Sequence, residues 1–526
     1  MLYYVACNSK AILSGYYWGQ ALRLAPPEYE KQKGNTKMEN NAKYTSPYQL
    51  DGRIPLRQAL PLGLQHVLAM FVGNLSPLLI IMGTCGLTDG AGFGELRVAL
   101  LQNAMLIAGL ITFIQLYPIG PIGGRLPIVM GTSSGFIGVN NAIAGSTLAG
   151  IAAGTITTDA NAGIFAYGAI MGACIIGGVF EMGLGFLIKP LRKYFPAVVT
   201  GTVVMAIGLS LIPVGINFFG GGGTSVPDFG HMYNLLLGLI TMIAILLFKH
   251  SFKGFPSIAS VLLGIIAGYI VSMLMGAVLP NTFEYVVKNA DGAEEVKAAT
   301  YAFVTQWQKV GTAKWFALPK LLPVTPRFRL DAIVPMCIMF IVTAVETIGD
   351  TTGVVEGGLN REATDKELSG SVICDGFGSS VAAIFGVLPN TSFSQNVGLV
   401  GMTKVVNRFA IAMGAGILVI AGLFPKIGAI INIMPQPVLG GAAIVMFANI
   451  VISGINLITK EPLDGRNATI VAISLGLGFG LGSATAAQSF MPQWLKYVFG
   501  GSGIVPAAIL AILLNILLPK DEPAAP

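Results

Sequence analysis

From residue 58 onward, long apolar runs alternate with short polar breaks, and the breaks carry most of the proline and charge. A helix needs about 20 apolar residues to cross ~30 Å of hydrocarbon. By that measure the pattern predicts spans near 61–83, 96–117, 126–147, 161–188, 196–216, 232–250 and 255–279. A longer polar segment covers 280–329. Further spans follow near 330–350, 369–387, 391–403, 405–424, 435–457, 467–485 and 502–518. The expected fold is an all-α polytopic membrane protein with fourteen segments in two sets of seven, the tenth being the shortest.

Two of these runs are interrupted in the same way. "GTSSGF" (Gly131–Phe136) and "NTSFSQ" (Asn390–Gln395) break the helical pattern in the third and tenth spans. Each reads as a short extended stretch leading into a half-helix. A second echo joins "FPAVVTGTVVMAIGLSLIPVGI", from Phe195, to "MPQPVLGGAAIVMFANIVISGI", from Met434. One constant offset pairs Pro196 with Pro435, Val199 with Val438, Gly201 with Gly440, Gly215 with Gly454 and Ile216 with Ile455. An odd number of spans per copy turns the second copy upside down. Inverted repeats with broken helices are a mark of secondary transporters, whose substrate sits near the midplane.

Irregular backbone at membrane depth is tolerated only against protein or a water-filled cavity. The free N–H groups at a half-helix start favour a ligand there. Gln395 offers a donor and an acceptor edge to a flat polar heterocycle, Asn396 can tie the broken backbones together, and Phe393 supplies a ring face. Ser133, Ser134 and Ser394 stand at the same breaks and complete the candidate substrate-binding set. A second polar island, "TAVETIGDTTG", places Glu346 and Asp350 four residues apart on one helix face. A carboxylate inside a span costs at least ~2.5 kcal/mol, so Glu346 is read as substrate-binding and Asp350 as a coupling acid. Asp375 is a third buried acid, and His66 lies in the first span.

Composition agrees with a membrane protein: 54% of the 526 residues are hydrophobic and 11% charged, against roughly 25% charged in soluble domains. The net charge of +6 follows topology rather than nucleic-acid binding. The five cysteines (Cys7, Cys85, Cys174, Cys337 and Cys374) are scattered, with no CxxC and no His cluster, so neither a disulfide framework nor a metal site is expected. No cofactor is expected either. Residues 1–25 lack the lysine-flanked apolar core and cleavage site of a signal peptide. Glu28–Arg57 is polar and reads as a disordered tail. Met38 opens a segment that looks like a natural start, so residues 1–37 are expected to be upstream readthrough, which the intact mass of the natively expressed protein tests.

Lys/Arg bias sets the direction. With a cytoplasmic N-terminus, the inside loops hold twelve basic residues: Arg125, Lys189, Arg192, Lys193, Lys249, Lys253, Arg361, Lys366, Lys404, Arg408, Lys460 and Arg466. The short outside loops hold three: Arg97, Lys426 and Lys496. Both termini are then cytoplasmic. The 280–329 segment, with seven Lys/Arg on the outside, runs against the trend.

"QNVGLVGMTK" resembles the signature of the nucleobase–ascorbate transporters, Gln/Glu/Pro-Asn-x-Gly-x(4)-Thr-Arg/Lys/Gly, through Gln395, Asn396, Gly398, Thr403 and Lys404. Gln65–His66 matches that family's first-span motif, and Glu346 with Asp350 its acidic eighth-span motif. The resemblance covers Pro55 to Leu518. It implies a core domain (58–190 and 330–425) moving past a gate domain (191–280 and 426–519), with 281–329 an external connection and 1–57 and 520–526 tails. It further implies a homodimer in the cytoplasmic membrane and proton symport. In the family, Gln at the first signature position marks xanthine and uric acid carriers, so the expected substrate is an oxidised purine. Asn396, His66, Asp350, Asp375, Gly398, Thr403 and Lys404 are carried over as structural or coupling residues. One departure concerns Ser134, which stands where many relatives have a stacking Phe; Phe136 is two positions away. The alternatives are a uracil or other nucleobase permease, or an anion exchanger of the same architecture. A membrane-embedded enzyme is the rival from another class; it would want a nucleophile with its base or a metal cluster, and the expectation is of no HExxH, no GxSxG and no P-loop.

Overall fold

The computed structural model describes residues 45–519 apart from 89, 159, 192–193, 223–225, 289–293, 485–486, 488–489 and 493–502. The expectation of readthrough at 1–37 lies outside the described residues. The chain is mostly helical. Helices α1 (Leu56–Thr84), α2 (Gly94–Leu116), α3 (Ile137–Ala152), α4 (Ala162–Phe186), α5 (Ala197–Phe219), α6 (Met232–Ser251) and α7 (Ser260–Val278) form the first half. The second half holds α8 (Leu330–Leu359), α9 (Asp365–Ile384), α10 (Ser394–Thr403), α11 (Arg408–Ala421), α12 (Pro425–Asn432), α13 (Gln436–Ile458), α14 (Gly465–Ile473) and α15 (Ile504–Leu517). Strands β1 (Met130–Thr132) and β4 (Asn390–Ser392) pair with each other, as do β2 (Thr282–Lys288) and β3 (Glu294–Thr300).

Among the described residues, eight helices are long and apolar enough to cross a membrane: α1, α2, α4 to α8 and α13. The other six expected positions hold shorter or interrupted elements. The third and tenth are a strand plus a half-helix. The ninth, α9, carries Asp365, Lys366, Glu367 and Asp375. In the eleventh, α11 is followed by α12 at a bend of 84°. In the thirteenth, α14 passes into a wider π-helical stretch, Ser474–Phe479. The fourteenth, α15, has 14 residues.

α5 and α13, the two echoing segments, cross each other through glycines. Each starts after a proline at its N-cap and runs 23 residues. Gly201 faces Ile458 and Gly440 faces Phe219; Gly215 faces Ile444 and Gly454 faces Met205. Each second contact is the first one shifted by the offset of the sequence echo. The absent side chains let two backbones approach closely, the usual means of helix association in lipid.

Residues 45–55 are not a disordered tail. The Val406 and Asn407 N–H groups donate to Pro47 O at 3.1 Å, the Asn407 amide donates to Gln49 O at 3.0 Å, and Arg408 is ion-paired with Asp51. The backbone carbonyls of this stretch, with the Asp51 carboxylate, instead satisfy the start of α11. The 281–329 connection is likewise structured: a β2–β3 hairpin, then an extended run pinned by Asp228 Oδ2, which accepts from Ala302 N–H at 2.7 Å, and by Gly168 O, which accepts from Arg327 N–H at 2.8 Å.

The two interrupted segments meet. β1 and β4 pair antiparallel, with Met130 opposite Ser392, Gly131 opposite Thr391 and Thr132 opposite Asn390. Asn74 of α1 accepts from Thr132 N–H at 2.7 Å, so α1 braces the pair from the side. The Phe393 ring fits a slot floored by Gly73 and Gly131. A Cβ at Gly131 would lie 2.9 Å from Phe393 Cε2 and one at Gly73 3.0 Å from its edge. Gly131→Ala therefore presses on the flexible end of Met70, whose Cε would lie 2.5 Å from the new Cβ, and on the ring, at about 1–3 kcal/mol for overpacking. The expected outcome is a lower melting temperature of the detergent-purified protein, partly restored when Phe393→Leu is added. Losses that simply sum in the double variant would mean that the ring and the glycine are not in contact.

Candidate functional site

The site is built on one face of α8, where Thr343, Glu346, Thr347 and Asp350 fall at helical spacing. Packed against this face are α4 with Glu181, α9 with Asp375, and the β4–α10 corner with Ser392 and Ser394. Four carboxyl groups thus converge inside the helical core: Glu181 and Asp375 are fully buried, Asp350 is 6% exposed and Glu346 8%. No Lys, Arg or His is hydrogen-bonded to any of them among the described residues. Their partners are hydroxyls and one backbone N–H. Ser394 Oγ lies 3.3 Å from Glu346 Oε1 and 3.0 Å from Asp350 Oδ2. Ser392 donates to Asp350 Oδ2 at 2.8 Å. Thr347 donates to Asp375 Oδ2, which also faces Ser392 N–H at 3.4 Å. Thr343 Oγ1 lies 3.1 Å from Glu181 Oε1.

Counting hydrogens constrains what this cluster holds. A serine or threonine hydroxyl has one hydrogen to donate. Ser394 stands between two carboxyl oxygens. Thr343 stands between Glu181 and its own helix carbonyls, Phe340 O at 3.3 Å and Met339 O at 3.4 Å. Thr347 Oγ1 also lies 3.2 Å from Ser392 Oγ, whose hydrogen has the Asp350 oxygen to serve. The hydroxyls alone supply fewer hydrogens than these contacts need. A carboxyl carrying its own proton completes such a contact by donating to the hydroxyl oxygen, which then donates onward.

Around the cluster, Gln395 is half-buried and its amide bonds to no described group, which leaves both edges for a ligand. Ser134 is half-buried and Ser133 accepts from Gly135 N–H at 3.3 Å. A Cβ at Gly135 would stand 3.8 Å from Glu346 Oε2, so the β1–α3 corner, the α8 acid and the β4–α10 corner converge. Glu346 Oε2 itself is buried with no hydrogen-bond partner. Phe136 is not offered to this space: it is fully buried against Phe340, with ring centroids 4.7 Å apart. Phe393 is the aromatic at the crossing.

The remaining candidates act at a distance from the carboxyls. The Asn396 amide stands 3.0 Å from His66 Nδ1 and donates to His66 O at 3.1 Å, tying α10 to α1; Nδ1 is then the acceptor and Nε2 carries the proton. Gly398 is exposed on α10. Thr403 bonds back to Leu399 O at 2.8 Å, and Lys404 ends α10 with φ of 57° while its ammonium donates to Gly357 O of α8. Of these three only Lys404 bonds to α8. The sequence reading missed Glu181, although a glutamate inside "GGVFEMGLGF" carries the same signal as Glu346. It also missed Asn74, whose role depends on a strand pairing that no single segment reveals. "GTSSG" does fit the GxSxG spacing of serine hydrolases, but Ser133 has no histidine partner; His66 is held by Asn396.

The permease family (Xan_ur_permease) matches residues 57–486. The xanthine permease XanP of Escherichia coli K12 is 31% identical, covering 90% of this chain and 95% of its own. The uric acid permease PucK of Bacillus subtilis is 34% identical, covering 89% and 96%. The structure of SLC26A9 superposes with a TM-score of 0.55 at 12% identity, over 88% of this chain and 65% of that one, a likeness of fold alone. With the signature at Gln395–Lys404 and a match across most of its length, this chain belongs to the permease family of nucleobase–ascorbate transporters and is a membrane transporter, not an enzyme.

Proposed function

We propose that the protein imports an oxidised purine, xanthine or uric acid, across the cytoplasmic membrane by proton symport. The observation that carries this reading is the half-buried Gln395 amide, bonded to no described group and next in sequence to Ser394, which bridges Glu346 and Asp350. A flat ring with alternating carbonyls and N–H groups meets there a neutral donor–acceptor edge and an acid that accepts from ring N–H. The names of XanP and PucK point the same way. A uracil or other nucleobase permease is the neighbouring alternative. An anion exchanger is less well served, because four carboxyl groups without a cation repel a bare anion.

In this reading the coupling protons sit on Glu346, Asp350 and Asp375, in the places that hydrogen counting leaves open. Bound purine and bound proton then raise each other's affinity, since linkage is mutual. The fourteen segments form two inverted repeats, a reading supported by the reciprocal glycine contacts of α5 and α13 and by the antiparallel β1–β4 pair. The core domain slides past the gate domain in an elevator-like movement within a homodimer, with both termini cytoplasmic. Support for sliding comes from the face between α1 and α7, where Phe71, Leu75 and Leu79 meet Leu262 and Ile266 across a largely apolar cavity of about 120 Å³.

Three outcomes test this. Glu346→Gln keeps volume and removes the charge; purine uptake is expected to fall about tenfold or more with insertion intact. Wild-type accumulation would place the ligand elsewhere. Gln395→Glu loses the donor edge, so uptake of xanthine relative to uracil, hypoxanthine and guanine is expected to drop; an unchanged ranking removes Gln395 from specificity. Collapsing the proton gradient with a protonophore is expected to abolish accumulation, and removing sodium to leave it intact. Dependence on sodium alone would overturn the proton assignment and leave the purine assignment standing.

A further inference from the structure

Three of the seven basic residues of 281–329 that run against the charge bias, Lys309, Lys314 and Lys320, line one cleft. Residues 308–320 arch over the N-terminal end of α2 and are fixed there. Gln102 donates to Ala317 O at 2.6 Å and Asn103 to Lys320 O at 2.8 Å. Lys426, at the start of α12, donates to Val310 O at 3.0 Å and stands 4.7 Å over the Trp315 ring. Beneath the arch lies a cleft of about 540 Å³, whose walls include Lys309, Lys314, Lys320, Glu95 and Asn432. Behind it the buried Arg97 guanidinium donates to Asn432 Oδ1 at 2.7 Å and to Leu87 O at 2.9 Å. Among the described lining residues, Lys314 and Lys320 are accompanied by one carboxylate, Glu95. Neither Lys314 nor Lys320 has an anionic partner among the described residues. Trp315 and Phe316, on the same arch, are 74% and 57% exposed.

We propose that this cleft is a second binding site, which collects the anionic form of an oxidised purine before it enters the transport site. The inference rests on the purine reading above and adds a site to it. Uric acid is a monoanion at neutral pH, its charge spread over the carbonyl oxygens of a flat ring. Lysines on a concave wall focus positive potential and raise the local concentration of such an anion. The volume is that of a small-molecule pocket. No described Lys, Arg or His is hydrogen-bonded to the carboxyl cluster, so on this proposal the attraction for negative charge resides here, and the anion meets the cluster's protons afterwards. The excess of lysine on the expected outer face is thereby explained by function rather than by topology.

Mildly acidic medium separates the charge states, because uric acid there is still the anion while xanthine is neutral. Each is measured as a substrate or, where it is not carried, as an inhibitor of the other. With K314Q/K320Q, KM for urate, or its inhibition constant, is expected to rise about fivefold at low ionic strength, with maximal uptake unchanged and the xanthine value unmoved. Salt added outside is expected to raise the wild-type urate value and leave the variant's flat. K314E/K320E is expected to raise it further. A urate value that does not move, or one that rises equally for neutral xanthine, overturns the cleft as an anion site. Failure of the wild type to recognise either purine overturns the transport reading, and this proposal with it.

Discussion

Everything in this molecule is arranged around carboxyl groups that must sit inside a membrane protein without a cation. A charge there costs several kcal/mol unless its surroundings supply hydrogen bonds or it takes a proton. The chain supplies hydroxyls: Thr343 and Thr347 from the acidic helix itself, Ser392 and Ser394 from the strand–helix corner that packs on it. A straight helix in the tenth position could not present both serines and a backbone N–H to α8 and α9. The break in that helix, the β1–β4 pair that compensates its lost backbone bonds, and the glycine slot for Phe393 are consequences of serving those acids.

The same arrangement couples structure to transport. The β4–α10 corner touches Glu346 and Asp350 through one serine and reaches Asp375 through another, while Asn396 ties it to His66 of α1. A ligand that displaces Ser394 from its two oxygens changes the hydrogen count of the cluster. On the proposed reading, proton occupancy and ligand occupancy are settled on the same few atoms. On the proposed reading, selectivity falls to Gln395, whose amide bonds to no described group.

Much of this was legible in the sequence because membrane chemistry punishes polarity. Glu346, Asp350 and Asp375 announced themselves as acids in apolar runs, and the two "TS" breaks announced themselves as irregular backbone; the structure brings all of them together. Phe136 was not legible as a core residue, since its burial depends on Phe340 of another span. Residues 45–55 looked like a solvated tail because the helix start that they satisfy lies some 350 residues away in sequence. Fourteen evenly read spans became eight full-length helices plus shorter pieces, because hydropathy registers apolar length and is blind to strands, bends and π-helical stretches.

Proton uptake on ligand binding is the most direct test of the account. Purified protein is titrated with xanthine or urate in buffers of different ionisation enthalpy, and the heat difference gives the protons bound per ligand. If purine and proton share the Glu346–Ser394–Asp350 bridge, binding takes protons from solution, and Glu346→Gln diminishes that uptake. Binding of purine with no proton exchange at any pH would contradict it.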